Sequence, residues 1–200
     1  MKTLVIDSAT EACSVALLDG DHPVLGELRM LGRGHAEHLV PMIAALPGKG
    51  RADRICVSLG PGSFTGVRIG LAAARALGLA WKVPVLGYPT LALVASIART
   101  ERPGPVTVCM TGGHGEWFVQ DFDGDGMPES ALRSLAPDRA NAAHDIVAGT
   151  QAEALVAGSG HGIALPLWPD ARRMDLLPPA LLRADLAPIY GRAPDARLPA

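Results

Sequence analysis

The sequence has few cysteines and no long apolar run, and both shortages limit the kind of protein it encodes. Its cysteines, Cys13, Cys56 and Cys109, are widely separated and form no C-x-x-C pair. Isolated cysteines of this kind favour buried free thiols in a reducing compartment and provide no metal or redox motif. No apolar run reaches the ~18 residues needed to cross a bilayer, and no signal-peptide core precedes the first strand. We therefore expect a cytoplasmic protein that does not enter a membrane.

Lysine is also scarce, which bears on nucleic-acid binding. The only lysines are Lys2, Lys49 and Lys82, and the formal net charge is −2. A protein that binds nucleic acid alone needs clustered Lys and Arg side chains to contact phosphates. The C-terminal segment is locally basic through Arg172, Arg173, Arg183, Arg192 and Arg197. It also contains Asp170, Asp175, Asp185 and Asp195, which offset much of this charge. We expect this segment to be a solvated surface.

The length of the chain allows one large domain or two small lobes. With 200 residues, of which 48% are hydrophobic, the chain can form a core without a metal or a disulfide. Residues 101–105, Glu-Arg-Pro-Gly-Pro, combine charge with residues that break regular structure and are the best linker candidate. We place the boundary there, between a larger lobe at residues 1–102 and a smaller one at residues 103–200.

The clearest local pattern is a strand, a tight turn and a helix. Residues 55–59 predict a buried strand, and residues 60–62, Gly-Pro-Gly, end it. Ser63 or Thr65 can cap the helix that continues to Ala80. The turn is not a P-loop, because no Lys-Ser or Lys-Thr pair follows it, and its glycine spacing is too long for the dinucleotide-binding fingerprint. The helix start can therefore attract an anion only weakly.

Small residues recur every four positions along this helix and leave one stripe almost without side chains. The stripe consists of Gly66, Gly70, Ala74 and Gly78. Because an interior glycine costs roughly 1 kcal/mol relative to alanine, the repeated glycines indicate close packing against another backbone. The stripe packs either on the protein's own sheet or against a partner, and the pattern alone leaves both open.

The chain opens with a strand that ends in an aspartate. Residues 3–7 predict a strand, residues 8–11 a polar turn and residues 13–18 a return strand. Actin-like ATPases and sugar kinases begin in this way, with the turn facing phosphates and the aspartate holding metal-bound water. Asp7 and Thr10 are therefore candidate nucleotide-binding residues, although both residue types are ordinary turn formers.

A helix is predicted next, at residues 35–46. Its apolar stripe consists of Leu39, Met42, Ile43 and Leu46. His35 and His38 lie one turn apart at its start. The sequence places no third ligand beside them, and their order lacks the spacing of the zincin motif. We interpret the two histidines as a polar helix start rather than as a metal site.

The second half of the chain also begins with a strand, a turn and a strand, at residues 106–110 and 116–120. The acidic run at residues 121–126 looks like the first half of a calcium loop, but Leu132 stands where the bidentate glutamate belongs. Hairpin-turn chemistry is the better interpretation. Three further elements are expected: a helix at 142–147, a strand at 153–156 and a helix at 175–183. No catalytic nucleophile, carboxylate pair or cofactor lysine emerges from the pattern.

Residues 60–70, Gly-Pro-Gly-Ser-Phe-Thr-Gly-Val-Arg-Ile-Gly, resemble the signature of the TsaB (YeaZ) family, a subunit in bacterial tRNA threonylcarbamoyladenosine synthesis. Residues 6–16 and 35–41 support the match, and residues 188–190 agree more loosely. The resemblance is strong over the first half of the chain and weak over the second. It implies an α/β, actin-like (ASKHA, ribonuclease H-like) two-lobed fold with mixed sheets flanked by helices.

The resemblance also implies a function. TsaB proteins are non-catalytic subunits that bind and activate a TsaD-like enzyme, which works with a TsaE-like ATPase. Together they form N6-threonylcarbamoyladenosine at position 37 of tRNAs that read codons beginning with A. ATP and metal would then belong to the partner subunits, this subunit would need no cofactor, and tRNA would be met only through the complex. A homodimer can form when the chain is alone.

This chain differs from the catalytic paralogue at one site and from its own family at another. TsaD-type enzymes carry a metal-binding His-x-x-x-His pair where this chain has Thr90 and Val94, neither of which is a nitrogen ligand. The resemblance therefore implies no metal site and no catalytic residue here. TsaB proteins usually carry Asp-Ala-Arg where this chain has Thr-Gly-Gly at residues 111–113, which weakens any role for charged residues in that turn.

The family's helical interface indicates which residues bind the partner. We expect the stripe helix and the 35–46 helix to pack against the equivalent pair of a TsaD-like subunit. The expected contact residues are His35, Leu39, Gly66, Arg68, Gly70, Ala74 and Gly78. The rival functions are an ATP-dependent transferase or kinase of the actin-like class acting through Asp7, and a peptidase. The missing nucleophile and zinc motif oppose the peptidase, and tight nucleotide binding by the isolated protein would favour the kinase-like rival.

Overall fold

The computed structural model of the chain describes residues 1–20 and 22–191, in two sheets that are built alike. Each sheet has an antiparallel meander of three strands followed by two parallel strands. Within these residues no helix is both long and apolar enough to span a bilayer. Three charged residues of the predicted basic segment, Arg192, Asp195 and Arg197, lie outside the described residues.

The first sheet contains the N-terminal hairpin that the sequence predicts. Its strands are β1 (Lys2–Asp7), β2 (Ala12–Asp19), β3 (His22–Met30), β4 (Arg54–Ser58) and β5 (Val85–Tyr88). Their order is β3-β2-β1-β4-β5, so β1 lies at the centre and β3 at one edge. The edge strand β3 has no counterpart among the elements predicted from the sequence.

Three helices cover the two faces of this sheet. They are α1 (His35–Ala45), α2 (Phe64–Trp81) and α3 (Thr90–Glu101). The predicted cap is confirmed, because the Ser63 hydroxyl accepts the backbone N–H of Gly66 at 3.2 Å. Helices α1 and α2 pack on one face, and α3 is buried between the first sheet and the second. The fold is therefore the expected α/β arrangement of two mixed sheets flanked by helices.

The structure of the second half of the chain corrects three predictions. Its strands are β6 (Val106–Thr111), β7 (Trp117–Phe122), β8 (Arg133–Leu135), β9 (Ile146–Ala148) and β10 (Ile163–Leu165), in the order β10-β9-β6-β7-β8, with α4 (Ala152–Ser159) packed beside them. The predicted helix at 142–147 overlaps β9, which is fixed as a strand by parallel pairing with β6. The predicted strand at 153–156 lies inside α4. Residues 175–183 form only short 3₁₀ turns, because consecutive prolines at 178 and 179 interrupt the segment.

The acidic run after β7 is a turn. The Asp123 carboxylate accepts the backbone N–H groups of Asp125 and Met127 at 2.9 and 2.8 Å. Asp121 instead accepts from the Thr107 hydroxyl at 2.7 Å and the Arg133 guanidinium at 2.9 Å. These carboxylates are engaged within the chain, and among the described residues no group of acidic, His or Cys side chains is arranged to hold a metal. The interpretation as turn chemistry is confirmed.

The segment at residues 183–191 returns from the second lobe to the first. Arg183 and Gly87 exchange two backbone hydrogen bonds of 2.8 and 2.9 Å, which extends the first sheet beyond β5. Further along, the Ile189 N–H donates to the Leu59 carbonyl at 2.8 Å, and Arg75 donates to the Leu186 carbonyl at 3.1 Å. Residues 183–191 thus cover the end of β4 and one side of α2.

Candidate functional site: the outer face of the helix pair and the cleft between the lobes

The small-residue stripe of α2 packs on the protein's own sheet. A Cβ atom at Gly70 would lie 2.5 Å from the Ser8 hydroxyl oxygen, and one at Gly66 would overlap the Ser8 backbone carbonyl. A Cβ atom at Gly78 would overlap the Val85 side chain. Ala74, between these glycines, has no exposed surface. The stripe was expected to contact a partner, and this expectation is wrong because the sheet already occupies it.

Two further residues of the expected partner face are also inside the chain. His35 is only 7% exposed, and Leu39 is buried in the core beneath α1 and α2. Arg68 is the exception, since its side chain is exposed at the start of α2. Of the seven expected contact residues, therefore, only Arg68 is available on the surface.

The outer side of the same helix pair is apolar and open. Its exposed residues on α1 and α2 include Val40, Ala44, Ala45, Ala72, Ala76, Leu79 and Ala80. Leu79 is 83% exposed and Val40 61% exposed, so two large aliphatic side chains join the small residues in one open apolar surface. A groove of about 310 Å³ runs between the helices. Its lining on α1 and α2 consists of Val40, Ile43, Ala44, Ala73, Ala76, Leu77 and Trp81, and the charged Lys49, which follows α1, also lines it. We call the residues of these two lists the outer helix face.

A second cavity, a cleft of about 730 Å³, lies between the parts of the chain that form the two sheets. The turn after β1, at residues 9–11, and the turn after β6, at residues 111–114, both line this cleft. The start of α2 and residues 189–191 complete its lining. Because β1 and β6 occupy equivalent positions in the two sheets, the cleft lies where the two similar halves of the fold face each other.

Asp7 lies beneath this cleft rather than in its wall. It is fully buried, and its carboxylate accepts the Ala9 N–H and the Tyr88 hydroxyl, each at 3.0 Å. Burial raises the pKa of Asp7 to about 7, an effect that these two hydrogen bonds partly oppose. Both carboxylate oxygens are therefore engaged inside the chain.

Thr10, the other candidate nucleotide-binding residue, does line the cleft. Its hydroxyl accepts the Ala12 N–H at 3.1 Å and holds the turn closed. The positions compared with the TsaD metal pair are buried at the start of α3. There the Thr90 and Ser58 hydroxyls share a hydrogen bond of 2.5 Å, and Val94 belongs to the core. A role for Thr10 in nucleotide binding stays a prediction.

Aromatic side chains and one arginine form the mouth of the cleft. The Arg68 guanidinium carbon lies 3.1 Å from the centroid of the Phe64 ring, and its Nη2 donates to the Tyr190 hydroxyl at 2.8 Å. Phe64 and Tyr190 stack with their centroids 5.8 Å apart. Among the described lining residues the basic side chains are Arg68 and His114, and the acidic one is Glu11, which accepts the Trp168 indole N–H at 2.9 Å. The walls are otherwise mostly apolar.

The sequence of this chain is similar to those of several known proteins. The family model for tRNA N6-adenosine threonylcarbamoyltransferase (TsaD) matches residues 29–155. The tRNA threonylcarbamoyladenosine biosynthesis protein TsaB of Escherichia coli is 35% identical over 131 residues, which is 62% of this chain and 56% of that protein. An uncharacterized protein of Mycobacterium tuberculosis is 32% identical over 97% of this chain and 93% of its own length.

The structural comparison agrees with the sequence matches. The structure of YeaZ from Pseudomonas aeruginosa superposes with a TM-score of 0.74 at 30% identity, covering 88% of this chain and 90% of that one. The match to the E. coli TsaB protein, by contrast, spans little more than half of that protein's length. The structural similarity therefore extends over most of both chains, whereas the chain spans just over half the length of the E. coli TsaB protein.

Proposed function

Because the chain belongs to the TsaB (YeaZ) family, we propose that it is the non-catalytic subunit that binds and activates a TsaD-like enzyme during formation of N6-threonylcarbamoyladenosine in tRNA. The modified position would be nucleotide 37 of tRNAs that read codons beginning with A. The observation that carries the proposal is the outer helix face, a surface of small and apolar side chains on α1 and α2.

The composition of α2 supports a partner on this face. Between Ile69 and Trp81, Arg75 is the only charged residue, so the exposed side of the helix has almost no solvating groups. Contiguous exposed apolar surface on a soluble protein marks interaction sites. Its alanines would also allow a partner helix to approach closely, as ridges-into-grooves packing requires. A TsaD-like subunit with a similar helix pair would bury Val40 and Leu79 at the interface.

The hydrogen bonds around Asp7 support a non-catalytic role for this subunit. The rival kinase-like function needs Asp7 to hold metal-bound water, but both oxygens of that carboxylate are occupied by Ala9 and Tyr88. We propose that ATP and metal are bound by the TsaD-like and TsaE-like partners, and that this subunit requires no cofactor. The surroundings of Asp7 therefore favour the accessory role over the alternative.

We also propose that tRNA is met only through the complex, in the cytoplasm. Arg172 is paired with Asp170 at 2.6 Å, and Arg173 donates to the Thr100 hydroxyl at 3.3 Å. Side chains that are already engaged within the chain contribute little to phosphate binding. In the absence of the TsaD-like subunit, the outer helix face could instead pair two copies of this chain.

The proposal is tested by placing a charge on the outer helix face. Ala76→Glu puts a carboxylate at the centre of this face, whereas Ala154→Glu makes the same change on an exposed position of α4 and serves as the matched control. Burying an unpaired charge at an interface costs about 2 kcal/mol or more, so we expect Ala76→Glu to weaken binding of the TsaD-like subunit by at least about 30-fold. Co-elution of the purified proteins measures the binding.

The same mixtures, supplied with the TsaE-like ATPase, ATP and tRNA, measure function as threonylcarbamoyladenosine recovered from digested tRNA. Wild type and Ala154→Glu should stimulate modification, and Ala76→Glu should not. If wild type fails to stimulate a TsaD-like enzyme, the proposed function is wrong. If Ala76→Glu binds and stimulates normally, the interface lies elsewhere. ATP-dependent group transfer by the isolated chain would favour the kinase-like alternative.

A further inference from the structure

Tyr190 occupies the mouth of the interlobe cleft in the way a bound aromatic ligand would. Its ring stacks on Phe64, and its hydroxyl accepts a hydrogen bond from Arg68 at 2.8 Å. The Arg68 guanidinium also lies over both rings, at 3.1 Å from the Phe64 centroid and 5.6 Å from the Tyr190 centroid. These contacts offer a flat ring a stacking surface and offer a polar group on that ring a cationic donor.

Few contacts hold the Tyr190 side chain in this position. The side chain is 49% exposed, and among the described residues it makes its ring contacts and its hydrogen bond with Phe64 and Arg68. The neighbouring Ile189 anchors the backbone through its hydrogen bond to Leu59, so the Tyr190 side chain can leave the site while the segment stays in place. The stacking surface beneath it is therefore available to a competing ring.

We propose that the interlobe cleft binds a nucleoside monophosphate, whose base takes the place of the Tyr190 ring on Phe64 and whose phosphate pairs with Arg68. The cleft volume of about 730 Å³ lies within the usual range for small-molecule sites. Its walls combine apolar side chains such as Val67 and Phe118 with a few polar groups, which is the usual composition of such sites. Tyr190 then acts as an intramolecular competitor that lowers the affinity of the isolated chain.

The charges of the cleft favour a monophosphate over a triphosphate. Arg68 is the one permanently cationic side chain among the described lining residues, and the Glu11 carboxylate lies in the same cleft. The Thr111 hydroxyl is already shared with Thr150 and Gln151. One guanidinium can pair bidentately with one phosphate, whereas two further phosphates would lie uncompensated near an acidic group. The expected order of affinity is the reverse of that in an ATP-dependent enzyme.

Titration calorimetry of the isolated chain with AMP, adenosine and ATP plus magnesium tests the inference. Tyr190→Ala removes the competitor and should tighten AMP binding by about tenfold. Arg68→Ala should reduce AMP binding to the level of adenosine. The matched control is Arg51→Ala, which removes an exposed arginine outside the cleft and should leave AMP binding unchanged. AMP should bind more tightly than ATP plus magnesium to every variant that retains Arg68.

Three outcomes would overturn the inference: AMP binding by Tyr190→Ala that is no tighter than by wild type, equal effects of Arg68→Ala and Arg51→Ala, or tighter binding of ATP than of AMP. Thermal melts confirm that each variant is folded. Tyr190→Phe, which keeps the ring and loses only the hydroxyl bond, gives a second test and should tighten AMP binding by a few-fold, less than Tyr190→Ala does. This inference is independent of the proposed function, because complex formation is measured on the outer helix face.

Discussion

The inner and outer faces of α2 both consist of small residues, but they have different surroundings. On the inner face, Gly66 and Gly70 rest directly on Ser8, whose hydroxyl donates to the Gly66 carbonyl at 2.9 Å. On the outer face, Ala72 and Ala76 are exposed. Small side chains allow another backbone to come close on either face. A stripe of small residues therefore indicates that another part of a protein packs closely against the helix. Which part it is depends on the large apolar residues beside the stripe.

Those neighbouring residues are visible in the sequence. Val67 and Leu71 flank the glycine stripe and are buried with it against the first sheet. Leu79 lies on the other side of the helix and is open. The inner face therefore stabilises the fold, and the outer face remains open on the surface. The difference between the two faces can be tested by placing a large side chain on each face and measuring the stability of each variant.

The largest effect is expected for Gly70→Leu. A Cβ atom there lies 2.5 Å from Ser8 Oγ, so a leucine side chain must push α2 away from β1. Overpacking of this kind costs about 3 kcal/mol or more, which corresponds to a fall of roughly 6–12 °C in the melting temperature of a chain of this size. Thermal unfolding followed by circular dichroism measures the change.

The paired control for this experiment is Ala76→Leu on the outer face. Because that position is exposed, its effect on the free energy of unfolding should stay within about 0.5 kcal/mol. If Gly70→Leu melts at the wild-type temperature, the inner face is not the packed one. A loss of stability in Ala76→Leu of similar size would mean that the two faces do not differ.

The first lobe was largely predictable because its signals are local. The Ser63 cap, the strand at 55–59 and the apolar stripe of α1 each lie within a few residues of the element they specify. The edge strand β3 lacks such a signal, since Pro23, Gly26 and two charged residues interrupt its pattern and it is held by pairing with β2. In the second lobe, β9 has only three residues, and its pairing with β6 decides its conformation.

The candidate site depends on contacts that no local pattern contains. Arg68 and Tyr190 are separated by 122 positions and meet only because residues 183–191 return to the first lobe. Asp7 was recognised at the end of its strand, but its burial under Tyr88 follows from the tertiary packing. The outer helix face did have a sequence signal, since an 18-residue helix with Arg68 and Arg75 as its charged residues cannot present a solvated face.

A second prediction concerns Asp7, which immediately precedes the serine under the inner face. In the folded chain its pKa is about 7, above the ordinary value of 3.8, so the folded state favours the protonated carboxyl. This contribution to stability is fully present below pH 3.8 and is lost as the pH rises towards and through 7. Burial is the main cause, and the nearby Asp170 adds to it, while the bonds from Ala9 and Tyr88 oppose it.

Asp7→Asn removes this titration. The stability of wild type relative to Asp7→Asn should fall by about 2–3 kcal/mol between pH 5 and pH 7, since one pKa unit corresponds to about 1.4 kcal/mol. Urea denaturation of both proteins at several pH values measures the difference. If the free energies of unfolding of the two proteins change in parallel between pH 5 and pH 7, Asp7 is ionised over this whole range and its pKa is not raised.

The smallest effect is expected at Ser63, the N-cap residue directly before α2. Ser63 caps α2 by accepting the Gly66 N–H at 3.2 Å, and Ser63→Ala leaves that N–H without its side-chain partner. The loss of an N-cap costs about 1 kcal/mol, or roughly 2–4 °C in melting temperature here. Ser63→Asp should restore most of this stability, because aspartate is an equally good N-cap and its charge is favourable at a helix N-terminus. Thermal melts of the three proteins separate local capping from packing of the inner face. A loss in Ser63→Ala as large as that in Gly70→Leu, without rescue by aspartate, would mean that the helix start and the glycine stripe act as one unit and that the inner face cannot be assigned to packing alone.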